Sequence, residues 1–308
     1  MEFLKVNHLK VYYPIRSGFL RRVVGHVKAV DDISFQLNRG ETYGLVGESG
    51  CGKTTTGRTL IGLIKATAGE ILLEGKDLTK LNRRERSYHR KDIQMIFQDP
   101  YSSLNPKKRV LDIIAEPIRN FEKLSPQEEK RKVQYLIERV GLHPDSIYKY
   151  PHEFSGGQRQ RIGIARALTL HPKLIIADEP VSALDVSVQA QVLNFMKDIQ
   201  TEFQLTYLFI SHDLGIIRHM CDRIGIMYRG QFVEEGASQE IFNNPQHIYT
   251  KRLISAIPNV DPRKKQEQIK LRQHVDKEYK LSWQRYFNAE GKAYPLKRIS
   301  DTHSVAIL

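Results

Sequence analysis

Eight residues near the start of the chain have the types and spacing needed to hold a polyphosphate. They fit the pattern G-x-x-x-x-G-K-[ST] and are Gly47, Glu48, Ser49, Gly50, Cys51, Gly52, Lys53 and Thr54. Glycines let consecutive backbone N–H groups curl around phosphate oxygens, and the helix that follows adds the positive end of its dipole. In this pattern the lysine reaches the β- and γ-phosphates, and the last hydroxyl ligates Mg²⁺. We call residues 47–54 the phosphate loop and include Thr55 in the candidate nucleotide site.

The surroundings of the phosphate loop favour this interpretation over an accidental glycine-rich turn. Residues 41–46 (ETYGLV) predict a short apolar strand, and residues 54–64 carry helical spacing with Leu60, Leu63 and Ile64 on one side. A strand, a glycine-rich loop and a helix in that order are what phosphate binding requires. The sequence therefore predicts a nucleotide-binding α/β domain.

A second group of polar residues follows predicted strands. Residues 174–178 (LIIAD) predict a buried strand that delivers Asp178 and Glu179 at its C-terminal end, the edge where ligands bind in an open α/β sheet. We expect Asp178 to hold Mg²⁺ through its water shell and Glu179 to polarise an attacking water. Gln98 and His212 also end predicted strands. Gln98 is predicted to contact Mg²⁺ and the water, and His212 to contact a γ-phosphate. Both predictions depend on the other motifs.

A second glycine-rich helix start predicts another phosphate contact. Ser155 is a candidate N-cap, Gly156 and Gly157 leave backbone N–H groups open to an anion, and Gln158 follows them. The alternative is an ordinary capped helix start.

Composition limits the classes of protein. The chain has 308 residues, 40% hydrophobic and 27% charged, a net charge of +13 and two cysteines, Cys51 and Cys221. No segment approaches the roughly 18 apolar residues of a membrane span, and residues 1–10 lack a signal-peptide core, so we expect a cytoplasmic protein with free thiols. The basic residues are spread without a nucleic-acid module. We therefore favour membrane proximity or a solvated exterior over nucleic acid.

The predicted elements form an interrupted α/β pattern. Strands alternate with helices before residue 99 and after residue 160, which implies a parallel sheet covered on both faces. Residues 99–160 predict a helical insertion. Residues 14–28 predict a basic loop or a hairpin, and beyond Gly236 the pattern fades into a polar tail.

In this order the motifs resemble the nucleotide-binding subunit of ATP-binding-cassette (ABC) transporters over roughly residues 3–258. The most specific pieces are FSGGQRQRIGIARAL (154–168) and LIIADEPVSALD (174–185). The resemblance implies an α/β fold of the P-loop NTPase (RecA-like) class. Its expected parts are an ATP-binding core with an antiparallel β subdomain (1–98 and 161–236), an inserted helical subdomain (99–160) and a C-terminal extension (237–308).

The resemblance also assigns roles to residues. Two such subunits would pack head to tail around two ATP molecules, and the segment Ser155–Gln158 would contact the ATP that the partner holds. The loop expected to join the two sites consists of Ser182, Ala183, Leu184 and Asp185. Tyr13, or otherwise Tyr12, would stack on adenine, since base–aromatic stacking tolerates any base.

Within that family the chain resembles the F-type ATPase subunits of oligopeptide and dipeptide importers. The supporting pieces include LKVYYP (9–14), IFQDPYSSLNP (96–106) and NPQHIYTKRLISAIP (244–258), where Ile248 replaces a usual proline. The resemblance implies ATP and Mg²⁺, a heterodimer with a homologous ATPase subunit, two membrane-spanning permeases and, through them, an extracytoplasmic peptide-binding protein. It places the chain peripherally on the cytoplasmic face of the membrane, without nucleic acid. No cysteine follows Cys221, so no iron–sulfur cluster is expected.

Several alternatives stay open at this point. The cargo could instead be nickel, an opine, haem or an antimicrobial peptide. A soluble ABC protein acting on DNA or ribosomes usually carries two cassettes or a long coiled coil, and this chain has neither. The Cys51 thiolate is favoured by the helix start and by Lys53, or Cys51 merely fills a small-residue position. The tail from residue 261, which holds Trp283, could pack on a partner, meet the membrane or be solvated.

Overall fold

The structure, a computed structural model, describes residues 2–19, 21–257, 263 and 265–308. Pro258, the last residue of the predicted C-terminal signature, lies outside these ranges, as do residues 261, 262 and 264 of the predicted tail. Within the described ranges, no helix is both long and apolar enough to cross a membrane.

Strands and helices alternate along much of the chain. The strands are β1 (Glu2–Ser17), β2 (Arg22–Asn38), β3 (Thr42–Val46), β4 (Ala68–Leu73), β5 (Lys76–Asp77), β6 (Ile93–Ile96), β7 (Leu174–Asp178), β8 (Thr206–Ser211), β9 (Arg223–Tyr228), β10 (Gln231–Ala237), β11 (Leu296–Arg298) and β12 (Ser304–Ala306). The helices are α1 (Lys53–Leu60), α2 (Arg83–His89), α3 (Pro100–Ser103), α4 (Val110–Phe121), α5 (Pro126–Arg139), α6 (Gly156–Leu168), α7 (Val186–Phe203), α8 (Leu214–Met220), α9 (Ser238–Asn243), α10 (Ile248–Ser255), α11 (Lys265–Leu281) and α12 (Trp283–Tyr286). Two short 3₁₀ helices, Pro144–Tyr148 and Pro151–Glu153, lie between α5 and α6.

The chain divides into two compact units. The first consists of Met1–Lys80 and Phe209–Leu308, and the second of Leu81–Leu208. Strand β8 carries the chain from the second unit back into the first.

The first unit contains an antiparallel sheet in the order β2-β1-β4-β5. Strands β1 and β2 form one long hairpin, paired from Glu2 with Asn38 to Ser17 with Arg22. Of the two alternatives for residues 14–28, the hairpin is therefore confirmed.

A second set of strands in the first unit runs in the order β11-β12-β10-β9-β3. Strand β3 pairs in parallel with β9, whereas β10, β12 and β11 add antiparallel pairs. All five residues of β3 are buried, which explains its uninterrupted apolar sequence. The expectation of a patternless polar tail is wrong for the described residues, because β12 pairs with β10 and buries Val305 and Ala306.

The second unit contains helices α2 to α7 and strands β6 and β7. Strands β6 and β7 pair in parallel, from Ile93 opposite Leu174 to Ile96 opposite Ala177. Helix α5 begins with a capping box, in which Glu128 N–H donates to the Ser125 hydroxyl and Ser125 N–H to the Glu128 carboxylate. Its apolar residues Val133, Leu136 and Ile137 are buried, as its helical spacing predicts.

Candidate nucleotide-binding site

The phosphate loop connects β3 to α1, as its sequence predicts. Two of its three glycines lie too close to other backbone segments for a side chain. A Cβ on Gly47 would lie 2.2 Å from the Met227 carbonyl oxygen, and a Cβ on Gly52 2.3 Å from that of Ala29. Gly52 also has a φ of +111°, and as N-cap of α1 it provides no side-chain cap. The N-cap of α1 therefore does not compete with an anion for the N–H groups of the first turn, as an anion site at a helix start requires.

The Lys53 ammonium is held against the phosphate loop itself. Its side chain is 5% exposed, and Nζ donates to the carbonyl oxygens of Gly47 at 2.7 Å and Glu48 at 3.0 Å. A buried ammonium is costly unless it is hydrogen-bonded, and these carbonyls satisfy it in the loop. The Lys53 ammonium thus lies within the phosphate loop, and its contact with phosphate stays a prediction.

Cys51 lies inside the loop and is 6% exposed. Burial raises the pKa of the Cys51 thiol, although the nearby Lys53 ammonium acts in the opposite direction. Desolvation disfavours the charged thiolate more than Lys53 stabilises it. The prediction of a favoured thiolate is therefore wrong, and the alternative of a small space-filling residue fits.

The two candidate adenine-stacking tyrosines have different surroundings. The Tyr12 hydroxyl donates to the Asp31 carboxylate, and Lys28 lies over its ring at 5.3 Å from the centroid. Burial and the hydrogen bond to Asp31 raise the pKa of Tyr12 to about 12. Tyr13 is 41% exposed and pairs with Val27, two residues before the Ala29 carbonyl that faces Gly52. Tyr13 is thus the more exposed of the two, and its stacking on adenine stays a prediction.

In the second unit, the parallel register of β6 and β7 brings Gln98 and Glu179 together. Each lies two residues beyond a paired position, Ile96 and Ala177. The Gln98 Nε2 donates to the Glu179 Oε2 at 2.7 Å. Asp178, the last residue of β7, is 2% exposed.

The backbone of Glu179 is strained. Its φ is +49°, in the left-handed region that favours glycine. Such conformations cost about 1–3 kcal/mol and persist where the surrounding structure imposes them, often at functional sites. The strain supports a functional role for this carboxylate.

The glycine-rich start of α6 is capped by its own residues. The Ser155 hydroxyl accepts from Gln158 N–H at 3.3 Å, and the Gln158 side chain accepts from Ser155 N–H at 3.0 Å. Ser155 is exposed, whereas Gly157 is buried, and a Cβ on Gly157 would lie 2.4 Å from Val188 Cγ1. We call Ser155–Gln158 the signature segment.

The loop of residues 182–185 contacts the signature segment within the second unit. A Cβ on Gly156 would lie 3.3 Å from the end of the Leu184 side chain. The Gln189 amide donates to the carbonyl oxygens of Val181 and Leu184, and the Ser182 hydroxyl to that of Glu179. Sequence analysis missed Gln189, because a polar residue inside a helix carries no distinguishing signal.

His212 is exposed immediately after β8, in the first unit. The next residue, Asp213, caps α8 by accepting from the N–H groups of Gly215 and Ile216. The position at a strand end agrees with the prediction, and the proposed contact with phosphate stays a prediction.

Tyr249 is a further residue at the phosphate loop. Its hydroxyl accepts a hydrogen bond of 3.1 Å from Glu48 N–H. Sequence analysis quoted the segment that contains Tyr249 and gave the residue no role.

Comparisons with known proteins agree with this geometry. Residues 30–182 match the ABC transporter family, and residues 233–283 match the C-terminal region of oligopeptide/dipeptide transporters. The oligopeptide transport ATP-binding protein OppF of Lactococcus lactis is 52% identical over 99% of this chain and 96% of its own length. The oligopeptide transport ATP-binding protein AppF of Bacillus subtilis is 57% identical over 83% of this chain and 78% of its own.

A solved structure supports the same conclusion. The ATP-binding cassette MJ0796, in a dimeric post-hydrolysis state bound to ADP and Pi, superposes with a TM-score of 0.68 at 26% identity, over 76% of this chain and 98% of its own. The fold and the phosphate loop thus define a P-loop ATPase. More particularly, the chain belongs to the ABC transporter family, as an ATP-binding and ATP-hydrolysing protein with the C-terminal region of the oligopeptide/dipeptide type.

Proposed function

We propose that this chain hydrolyses ATP to energise the import of oligopeptides or dipeptides, as a subunit of a multi-subunit ABC transporter. The observation that carries the proposal is the likeness to an oligopeptide transport ATP-binding protein across 99% of the chain. That likeness includes the C-terminal region, residues 233–283, which folds as part of the first unit.

ATP binding is assigned to the phosphate loop, with Thr55 beside it, and to the adenine-stacking Tyr13. The close approach of Gly47 and Gly52 to neighbouring carbonyls supports a loop shaped for its ligand. Lys53 would exchange its bonds to the loop carbonyls for β- and γ-phosphate oxygens.

We assign Mg²⁺ to Thr54, Asp178 and Gln98. Within the described ranges, no group of three or more His, Cys, Asp or Glu residues could hold a metal ion. Protein sites usually bind Mg²⁺ with one or two carboxylates, while phosphates and waters complete its shell. When bound, the ion neutralises charge that develops on the β- and γ-phosphate oxygens. With two cysteines in the sequence, no iron–sulfur cluster is proposed.

Hydrolysis is assigned to Glu179, Gln98 and His212. Glu179 orients the attacking water and accepts its proton, because its carboxylate follows Asp178 at the end of β7. The Gln98 amide donates to that carboxylate and so fixes its orientation. His212 meets the γ-phosphate.

A homologous ATPase subunit is the proposed partner, in a heterodimer. The exposed Ser155 and the glycines after it would contact the partner's ATP, and residues 182–185 would join the two sites. Val186, which begins α7 beside this loop, is 81% exposed, as a residue at a subunit interface would be in the isolated chain. Residues 99–120 would transmit closure to two permeases, and through them to a peptide-binding protein outside the membrane. The chain would thus lie on the cytoplasmic face of the membrane, without nucleic acid.

Replacing Glu179 tests the catalytic assignment. We expect Glu179→Gln to bind ATP normally and to hydrolyse it at least about tenfold slower, since general-base catalysis contributes about 10²–10⁴-fold. The matched control is Glu202→Gln, whose carboxylate pairs with Arg139 at the surface of the same unit. Near-normal turnover by Glu179→Gln would remove Glu179 from its role.

The same variant tests the transport assignment. We expect tagged Glu179→Gln, purified from native membranes with ATP, to bring down a second cassette ATPase, two multi-spanning proteins and a peptide-binding protein. Mass spectrometry identifies them. Recovery of ribosomes or nucleic-acid machinery would leave the ATPase chemistry intact and contradict the transport assignment.

A further inference from the structure

The C-terminal extension reaches the phosphate loop through one hydroxyl group. Tyr249, at the start of α10, is fully buried, and its oxygen lies 3.1 Å from Glu48 N. We propose that Tyr249 is a positioning residue for the phosphate loop, held in place by the C-terminal extension. The inference rests on the proposed binding of ATP by this loop. It implies that ATP affinity depends on a residue 201 positions after Glu48 in the sequence.

An aromatic cluster holds the Tyr249 ring. The cluster consists of Tyr228, Tyr249, Trp283 and Phe287. Tyr228 lies 4.7 Å from Tyr249 and 5.1 Å from Phe287, and Trp283 stacks on Phe287 at 4.0 Å, all between ring centroids. Aromatic pairs at these separations contribute stabilisation beyond the area they bury. Residues from α12 and the position after it therefore restrain a residue of α10.

The chain segment around Tyr228 also contacts the phosphate loop through its backbone. Tyr228 follows Met227, whose carbonyl oxygen faces Gly47, and Gly230 N–H donates to the Cys51 carbonyl at 2.9 Å. Together with the Tyr249 contact, three residues of the phosphate loop are thus supported from one side. Of these three contacts, the one from Tyr249 uses a side-chain acceptor.

The position of Tyr249 along α10 is fixed by a buried polar chain. Tyr249 N–H donates to His247 Nδ1 at 3.1 Å, and His247 N–H donates to the Glu234 carboxylate at 3.0 Å. Burial lowers the pKa of His247 to about 3. The imidazole is therefore neutral near pH 7 and can accept the bond from Tyr249.

Removing the Tyr249 hydroxyl would leave the Glu48 N–H without this acceptor while the aromatic ring stays in place. The loop would then sample more conformations before nucleotide binds, and affinity would fall by the cost of ordering it. The chemical step would change little, because Tyr249 touches the loop and not the reacting atoms.

The test is ATP binding and hydrolysis by the full chain with Tyr249→Phe. We expect Kd and KM for ATP to rise about three- to tenfold, as loss of one net hydrogen bond predicts, with kcat within about twofold. The matched control is Tyr286→Phe in the same extension. Tyr286 is 3% exposed and donates to the Gln246 carbonyl at 3.3 Å. Loss of the Tyr286 hydroxyl should therefore destabilise the fold about as much as loss of the Tyr249 hydroxyl, and leave ATP affinity unchanged.

The single tryptophan provides a second measurement. Trp283 belongs to the aromatic cluster, so ATP should change its fluorescence in the unaltered chain and change it less in Tyr249→Phe. An unchanged affinity in Tyr249→Phe, or an equal loss in both variants, would overturn the positioning role. Because nucleotide binding is measured on the chain alone, a different transported cargo would not alter this result.

Discussion

The phosphate loop and the signature segment are both glycine-rich helix starts, yet they are shaped in different ways. The phosphate loop is held by Ala29, Met227 and Tyr249, all distant in sequence. The signature segment is held by a capping box between Ser155 and Gln158, three residues apart. The first is held by backbone and hydroxyl groups from distant segments. The second is closed by a local capping box, is contacted by the side chains of Leu184 and Val188, and exposes Ser155.

This difference corresponds to the two proposed roles. A loop that must surround a polyphosphate needs its amides ordered before binding, because ordering them afterwards weakens affinity. A segment that contacts nucleotide on a partner needs only a stable helix start and an exposed surface. We therefore expect substitutions in the two segments to separate affinity from turnover.

The largest difference is expected between two glycine-to-alanine substitutions. Gly52→Ala places a Cβ 2.3 Å from a backbone oxygen at a φ of +111°, so we expect a loss of about 2–4 kcal/mol in the free energy of unfolding. Gly156→Ala meets the flexible end of Leu184 at 3.3 Å and the Tyr101 hydroxyl at an ordinary contact distance of 3.9 Å, and we expect a loss of about 0.5 kcal/mol or less. Urea unfolding of both variants measures this, and equal losses would contradict the comparison.

The next prediction compares removal of a charge from the phosphate loop with addition of a bulky side chain to the signature segment. Lys53→Ala removes an ammonium that would contact phosphate, so we expect ATP affinity to fall by about tenfold or more. Ser155→Arg leaves the phosphate loop intact, so we expect affinity within about twofold of normal and a loss of ATPase activity in the full transporter through blocked closure. Nucleotide titration and complex turnover measure the two effects. Unaltered turnover with Ser155→Arg would refute the partner-site role.

The smallest expected effect is a pH-dependent loss of stability in the first unit, caused by deprotonation of His303. His303 is 1% exposed, and its Nε2 lies 2.7 Å from the Glu234 carboxylate that also accepts from His247 N–H. Burial acts to lower the pKa of His303, but the hydrogen bond and charge of Glu234, with the charge of Glu240, raise it overall. A raised folded-state pKa means that the stabilisation is complete below about pH 6.5, the unfolded value, and is lost as pH rises through the folded-state pKa.

At about pH 6 we expect His303→Gln to have a lower free energy of unfolding than the unaltered chain. This difference should shrink as pH rises to about 9. Urea unfolding across that pH range measures the difference in free energy of unfolding between the two chains. Hydrogen exchange should place the change in the first unit, around β10 and α10, and leave the signature segment unaffected. A gap that stays constant or widens would exclude the protonated pair as its source.

Features that depend on neighbouring residues were predicted well from the sequence. The N-cap at Ser155, the phosphate loop between a strand and a helix, and the buried strands β3 and β7 follow from short-range patterns. The tail was not predictable, because β11 and β12 contain three residues each and are stabilised by pairing with a distant strand.

The sequence by itself thus determined the fold class, the ATPase motifs and the family, since each depends on residue types at fixed short spacing. Only the tertiary structure showed that Tyr13 is more exposed than Tyr12, that burial disfavours the Cys51 thiolate, and that Tyr249 lies at the phosphate loop. The reason is physical. Desolvation and long-range hydrogen bonds depend on which distant segments pack together, and a linear motif does not contain that information.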